Sequence, residues 1–302
     1  MKIVIAGGSG FLGRALTAAL LAGGHDVVIL TRTGQPPGGR ARAVAWSPAG
    51  ETGPWSSDVN GADAVINLAG ESIAGSRWSA AHKARIRDSR INATRSLVAA
   101  MRSVTVPPPV FVSGSAVGYY GPRSDEAVTE TDAAGRDFLA RVCVQWEEEA
   151  LAAAGARTRV VLIRTGLVLA RDGGALPEML PPFRFGAGGP VGSGRQFWPW
   201  IHRDDWVGLA LWAAGNNAVS GPVNATAPNP VTNKEFASAL GRALHRPSFM
   251  PAPAFALRLL LGEMADALLL SGQRALPAVA QRLGFTFTFA NVDAALNDIF
   301  SR

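Results

Sequence analysis

A single cysteine, Cys143, stands among 302 residues. No disulfide can therefore close within the chain, and no multi-cysteine metal site can be assembled. The four histidines, His25, His82, His202 and His245, are scattered, so no metal site is expected. Long apolar runs are missing as well. A membrane-spanning helix needs about 18 to 20 uncharged residues, and the longest candidate, 255–270, is broken by Arg258, Glu263 and Asp266. That stretch reads as an amphipathic helix packed on the body. Lys2 is followed by a short apolar run and then by glycines, the pattern of a strand entering a loop and not of an export signal. The expected setting is the reducing cytoplasm, away from membranes. The formal charge of +6 raises the question of nucleic acid. Its arginines are spread singly, without adjacent stacking aromatics, so an anionic small molecule is the expected partner and nucleic acid is not.

What is present is a core. At 48% hydrophobic residues, the chain can bury one large α/β domain and a lobe. Lys2–Ala6 is a short β-branched run closed by glycines, hence a buried strand. Leu12, Leu16, Ala19 and Leu20 recur at helical spacing over Phe11–Ala22, and Gly23 and Gly24 stop that helix. Further strands are expected at 27–30, 41–46, 64–68, 110–113 and 159–163, with helices at 80–102 and 137–154. Strands alternating with helices imply right-handed parallel units and a doubly wound parallel sheet, the Rossmann arrangement. Beyond Thr165 the rhythm loosens into helices at 176–185, 205–214 and 233–244. The expected organisation is a dinucleotide-binding domain over 1–165. A smaller, mostly helical C-terminal lobe follows over 166–302, with some segments free to return to the sheet and a tail over about 249–300.

Between the first strand and helix lies Gly7-Gly8-Ser9-Gly10-Phe11-Leu12-Gly13. The string satisfies both G-x-G-x-x-G and G-x-x-G-x-x-G. Glycine serves the tight turn, the close approach of backbone to a pyrophosphate, and the contact of helix with strand. The helix start then offers free N–H groups and a positive dipole end to phosphate. The second strand discriminates between dinucleotides. An NAD site usually ends it with an acidic residue that accepts from the ribose 2′-hydroxyl. Here it ends in Thr31 and Arg32, and a guanidinium pairs with a 2′-phosphate instead. The expected cofactor is NADP(H).

With these motifs the chain resembles the extended short-chain dehydrogenase/reductases, and more narrowly an atypical "epimerase family" branch with a C-terminal domain of unknown function. The resemblance rests on GGSGFLG (7–13), Asn67-Leu68-Ala69-Gly70, Ile86-Arg87-Asp88-Ser89-Arg90 and Gly188-Gly189-Pro190 with Gly192-Ser193-Gly194. FWPWIH (197–202) and Gly272-Gln273-Arg274 before Gly284-Phe285 complete it. It implies that Gly7, Ser9, Gly10, Phe11, Leu12 and Gly13 wrap the pyrophosphate, and that Thr31 and Arg32 hold the 2′-phosphate. It further implies that Leu68 and Ala69 flank the adenosine ribose, that Arg90 lies near the cofactor, and that the strand end running from Arg164 to Val168 passes the nicotinamide.

One departure bears on catalysis. Active relatives use Ser…Tyr-x-x-x-Lys, in which tyrosine moves the proton and lysine lowers its pKa. Aligned on Glu147, the tyrosine position holds Leu139 and the lysine position holds Cys143, an isolated helical cysteine that reads as a small core residue. Ser115 retains the hydroxyl position, and Tyr119 and Tyr120 follow it. His202, beside Asp204 and Asp205, is a further proton-relay candidate, while Trp198 and Trp200 read either as a substrate wall or as packing. Two functions stay open. One is an NADP-dependent oxidoreductase or nucleotide-sugar epimerase-like enzyme, acting on a sugar-like or carbonyl substrate with a rearranged proton donor drawn from Ser115, Tyr119, Tyr120 and His202. The other is a non-catalytic NADPH-binding sensor or scaffold with a link to cell division, a process to which some relatives have been tied. The chain is expected as a monomer or a homodimer.

Overall fold

The β-branched runs that alternate with helices assemble side by side. In the computed structural model, which describes residues 1–34 and 40–301, seven strands form one parallel sheet. They are β1 (Lys2–Ala6), β2 (Asp26–Thr31), β3 (Arg42–Ala45), β4 (Ala64–Asn67), β5 (Val110–Ala116), β7 (Arg159–Thr165) and β12 (Gly221–Ala225). Their spatial order is β12-β7-β5-β4-β1-β2-β3. The order reverses between β1 and β4, and such a switch point opens a crevice at the carboxyl ends of the strands. The loop of residues 34–39 joining β2 to β3 falls mostly outside the described residues.

Both faces of the sheet are apolar, because helices cover each of them. Ile3, Ile5, Val27, Ile29 and Ile66 point to one side, and Val4, Ala6, Val28, Leu30 and Val65 to the other. Helix α1 (Phe11–Ala22) buries Gly13, Leu16, Thr17 and Leu20, a single stripe at helical spacing. Full burial of each leucine contributes about 1.5–3 kcal/mol. Helices α2 (Ala80–Ser103) and α3 (Phe138–Leu151) pack together. Ser79 caps α2 and Asp137 caps α3, each accepting from a backbone N–H three residues on.

Strand β12 was not expected from the sequence. Its string, GPVNA, contains one β-branched residue, and its pairing with β7 (Val223 beside Ile163) places it in the sheet by tertiary contact, not propensity. The sheet thus draws on chain from both sides of Thr165. Three small sheets tie the rest together. Strand β8 (Leu167–Ala170) lies between β9 (Gly173–Gly174) and β11 (Trp200–His202), β10 (Phe197–Trp198) pairs with β13 (Val231–Thr232), and β6 (Ala127–Val128) pairs with β14 (Arg274–Ala275). Around them lie α4 (Leu176–Arg184), α5 (Arg203–Gly215), α6 (Asn233–Leu244), α7 (Ala254–Leu261), α8 (Glu263–Ala265), α9 (Ala278–Arg282) and α10 (Val292–Ser301). Among the described residues no helix is long and apolar enough to cross a membrane.

The stretch 255–270 corrects an expectation. It is not one helix packed on the body: α7 ends where Gly262 adopts φ +63°, and no residue of α7 is buried. The charges within 255–270 pair with one another or with α2, Arg258 with Asp266 and Glu263 with Lys83, while Phe255, Leu259 and Leu260 of the helix face outward.

Candidate functional site: one crevice with an open end and a closed end

The glycine loop folds as its residue types require. Gly7 has φ +80°, and a Cβ there would lie 2.6 Å from the carbonyl of Leu68. A Cβ on Gly13 would lie 2.2 Å from Gly7 O, so only glycine lets α1 approach β1 this closely. Gly10 differs: a Cβ there meets nothing nearer than Gly7 O at 3.3 Å. Gly10 and Ser9 form an exposed rim. Gly10 is the N-cap of α1 and offers no side chain to the helix, and the first turn carries no acidic residue. The helix start therefore keeps its N–H donors and positive dipole end available to an anion. Phe11 packs on β9: a Cβ on Gly173 would sit 2.4 Å from its ring, and one on Gly174 would come 3.0 Å from both that ring and Val168 O. This contact brings the loop together with buried Val168.

Along the sheet edge, Asn67 donates to Thr94 Oγ1 at 2.8 Å and its Oδ1 accepts from Ala69 N at 3.1 Å. That pairing fixes the Leu68-Ala69 turn against Gly7. At the end of β2, Thr31 is buried, and its hydroxyl oxygen accepts from the N–H of Thr33 and of Gly34 at 3.1 and 3.0 Å. Thr31 orders the turn, and Arg32 beside it is exposed. Arg90 donates to Ile86 O and Glu71 O, packs under Gly70 and lies over the Trp146 ring at 5.3 Å. Burial lowers its pKa.

The neighbouring end of the crevice is closed. Ser115, Arg164 and Asn224 stand in register on β5, β7 and β12. Ser115 Oγ donates to Glu147 Oε1 at 2.6 Å. Arg164 donates Nε and Nη2 to the two oxygens of Glu147 at 2.8 Å each, a bidentate pair with both side chains buried. Arg164 Nη1 donates to Tyr120 Oη at 3.0 Å, and Tyr120 donates in turn to Asn224 Oδ1 at 2.7 Å. Asn224 Nδ2 donates to Leu276 O at 2.8 Å, which carries the chain of bonds into the C-terminal tail. Glu130 Oε1 accepts from Asn224 N and Val279 N. Burial works against the Arg164 charge, but the hydrogen bonds and charge of Glu147 outweigh it and the pKa rises. Burial pushes Tyr120 up to about 12, against the opposing effect of Arg164.

The sequence candidates therefore part company. Ser115 is turned to Glu147. Tyr120 is fully buried with its oxygen both donating and accepting, so it presents no face to a substrate. Tyr119 stacks on the Arg164 guanidinium at 3.4 Å and stays partly exposed. Leu139 lies against the Val117–Tyr120 turn. Cys143 is buried beside Ser115, and burial together with Glu147 pushes its thiol up to about 12. His202 is buried and caps α5, its Nδ1 accepting from Asp204 N at 3.1 Å; this puts the neutral ring's proton on Nε2, 3.4 Å from Asp298. It sits in the C-terminal lobe against Phe289, as a capping residue. Asp205 accepts from the N–H groups of Thr288 and Phe289, fastening the tail to α5. Trp198 and Trp200 are buried with Phe236 in the lobe's core, which decides between wall and packing. Arg164, expected beside the nicotinamide, turns inward to Glu147.

Sequence reasoning missed Glu147, Asn224 and Glu130 as a unit. One signal was present: Glu147 lies four residues after Cys143 on the stripe of α3 that also carries Ala140 and Ala150, a carboxylate among apolar neighbours. Among the described residues no group of His, Cys, Asp and Glu could hold a metal.

The sheet order, the glycine loop and its position define an extended short-chain dehydrogenase/reductase. Residues 3–225 match the NAD dependent epimerase/dehydratase family and residues 252–299 match a domain of unknown function, DUF1731; the chain belongs to that epimerase/dehydratase family. It is 45% identical over 296 residues to Epimerase family protein ML0860 of Mycobacterium leprae, covering 98% of this chain and 94% of the relative. It is 37% identical over 302 residues to human Epimerase family protein SDR39U1, covering 99% of each. The crystal structure of human SDR39U1 (isoform 2) with NADPH superposes with a TM-score of 0.92 at 36% identity, over 100% of this chain and 99% of that one. A complex of MoeE5 with UDP-glucose and NAD has a TM-score of 0.79 at 19% identity, over 100% of this chain and 98% of that one. At that identity it shows the shared fold.

Proposed function

We propose that this protein binds NADP(H) at the glycine loop and does so without the family's tyrosine–lysine proton relay, as an NADPH-responsive sensor or scaffold. The residues fit the cofactor. Gly7, Gly8 and Gly13 let the loop pack against Leu68, Ile29 and the start of α1, Gly10 leaves the rim open, and α1 offers N–H groups to a pyrophosphate. Arg32, exposed just after β2, would pair with a 2′-phosphate. The NADPH in the human relative's structure supports the same choice.

The observation that carries the second half is the closed cluster. Ser115 is committed to Glu147, and Leu139 and Cys143 stand where the proton donor and its activating cation would be. Bound NADPH would supply a hydride, but these residues offer no proton to accompany it. One observation favours the oxidoreductase or epimerase-like alternative. The Tyr119 hydroxyl has no hydrogen-bond partner among the described residues, so Tyr119 is the one candidate able to serve as an acid.

The two readings separate in one assay. NADPH oxidation is followed with nucleotide-sugars, aldehydes and quinones for the wild type and for Tyr119→Phe. The sensor reading expects saturable NADPH binding, no turnover, and a Tyr119→Phe variant with unchanged affinity. Turnover that falls about 10²- to 10⁴-fold in Tyr119→Phe would make the protein an enzyme with a relocated donor.

A further inference from the structure

Two stretches of this chain lack acidic residues and lie side by side. No Asp or Glu occurs between Glu178 and Asp204, or between Glu235 and Glu263. Their middle parts run together: Met250 N donates to Gly188 O, Ala252 N to Pro190 O, and Gly192 N to Ala252 O, at 2.8–3.1 Å. The contact extends to both ends of the pairing. A Cβ on Gly186 would lie 3.8 Å from Pro247 Cγ, and one on Gly192 would lie 3.8 Å from Ala254 Cβ. Arg184 and Phe185 thus lead into the Pro247 end of the band, and α7 starts at the other. Arg77 adjoins the far end of α7, where a Cβ on Gly262 would lie 3.2 Å from its Nε.

The band is both apolar and basic. Phe185, Phe249, Met250, Phe255, Leu259 and Leu260 are between 50% and 87% exposed. Within α7, Phe255 and Leu259 are four residues apart and share a face, and no residue of that helix is buried. Arg77, Arg184 and Arg246 are exposed and enter no ion pair among the described residues. The acids that follow the band are taken up within the chain, Asp266 by Arg258 and Glu263 by Lys83.

We infer that this band is a peripheral docking surface for a membrane rich in anionic lipid. Exposed rings and leucines beside unpaired cations suit an interface, the apolar groups entering the headgroup boundary while the arginines meet lipid phosphates. A second copy fits less well, because a two-fold axis would set the unpaired arginines of one band against those of the other with no acid between them. Nucleic acid would use the arginines, but Met250, Leu259 and Leu260 offer its bases no stacking surface. The contact is superficial: α7 has eight residues, about 12 Å of helix, against about 30 Å of hydrocarbon. The expectation of a chain away from membranes rested on the lack of a spanning run, which does not bear on surface contact.

The test is flotation of the full chain with vesicles of mixed phosphatidylglycerol and phosphatidylcholine, and with vesicles of phosphatidylcholine alone. The chain is expected to float with the mixed vesicles, to stay in solution with phosphatidylcholine alone, and to be largely released at about 1 M salt, where charges are screened within about 3 Å. Phe255→Ser with Leu259→Ser, and separately Arg184→Gln with Arg246→Gln, should each lower the partition constant at least about tenfold with the unfolding midpoint unchanged. Should one pair fail to fold, the other decides. Arg102→Gln with Arg157→Gln removes the same charge at the opposite end of α2 from Lys83, since Arg157 donates to Thr105 O, and should leave binding unchanged. A wild type that floats with neither vesicle overturns the inference, and so does equal flotation with both. Binding that survives the band variants, or that falls as far in the Arg102 and Arg157 pair, overturns it too and would reduce the effect to the overall charge of +6. A chain that ignores vesicles but forms a dimer of twice 31.5 kDa, dispersed by Phe255→Ser with Leu259→Ser, would assign the band to a second copy instead.

Discussion

The two ends of the crevice are made from the same kind of strand termini and are finished in opposite ways. At the β1–β2–β4 end the fold leaves polar groups without partners: α1 begins with no side-chain cap, Ser9 and Gly10 form an exposed rim, and Arg32 stands in solvent. At the β5–β7–β12 end nearly every polar group is matched. Ser115, Glu147, Arg164, Tyr120 and Asn224 run through hydrogen bonds of 2.6–3.0 Å into the tail at Leu276. Polar groups that the protein itself does not satisfy are the ones left for a ligand. Polar groups satisfied internally and buried hold the scaffold. By this criterion the β1–β2–β4 end is left open for a ligand, and the β5–β7–β12 end is a joint between the sheet and the C-terminal tail.

If the closed end is a joint, breaking it should produce the largest effect. Arg164→Met leaves the Glu147 carboxylate buried and uncompensated, and is expected to cost about 3–5 kcal/mol in urea unfolding. Adding Glu147→Leu to it should recover most of that loss, since two apolar side chains leave no orphaned charge. A loss below about 1 kcal/mol in the single variant would mean the cluster is not structural.

The same joint predicts sensitivity to alkali. Tyr120 and Cys143 are both raised to about 12, from ordinary values of 10.0 and 9.0. Each contributes stability that is fully present below its ordinary pKa. As pH rises beyond it the unfolded chain loses the proton first, so the contribution fades through about pH 12. The midpoint of unfolding should fall steadily from pH 9 upward, and Tyr120→Phe should remove part of that slope. A flat profile over this range would show that the two groups are open to solvent.

The open end should respond through the ligand and not through the fold. Gly10→Val places a branched side chain where the structure has only Gly7 O nearby, so unfolding should be little changed. NADPH affinity should drop at least about a hundredfold, because the new side chain takes the space above the helix start. A calorimetric titration showing near-normal affinity in a folded variant would place the pyrophosphate elsewhere.

The open end was legible in the sequence because its determinants are local. The strand, seven consecutive residues and the helix that follows specify the loop, and the limits of β1, α1 and α6 were each predicted to the residue. Thr31 and Arg32 could be read the same way, although the work of Thr31 inside its own turn was not visible. The closed end was illegible because its partners are far apart. Ser115, Glu147, Arg164 and Asn224 come from four elements, and only the register of three strands and the facing of α3 brings them together. Tyr120 and His202 were read by type, as hydroxyl and imidazole, and their burial and pairing were not visible in the sequence. Strand β12 was hidden for a related reason, since its Gly, Pro and Asn carry no strand signal apart from β7. The stretch 255–270 misled in the other direction, because an amphipathic pattern says that an apolar face exists but not what covers it.

The most direct test of the account is the affinity of the wild type and of Arg32→Ala for NADPH and for NADH, measured side by side at one salt concentration. The account predicts that the wild type binds NADPH at least about tenfold more tightly than NADH, about 1.4 kcal/mol for one charge-assisted pair. It also predicts that Arg32→Ala erases most of that difference while NADH binding stays nearly constant. Equal affinities in the wild type, or a preference that survives Arg32→Ala, would contradict it.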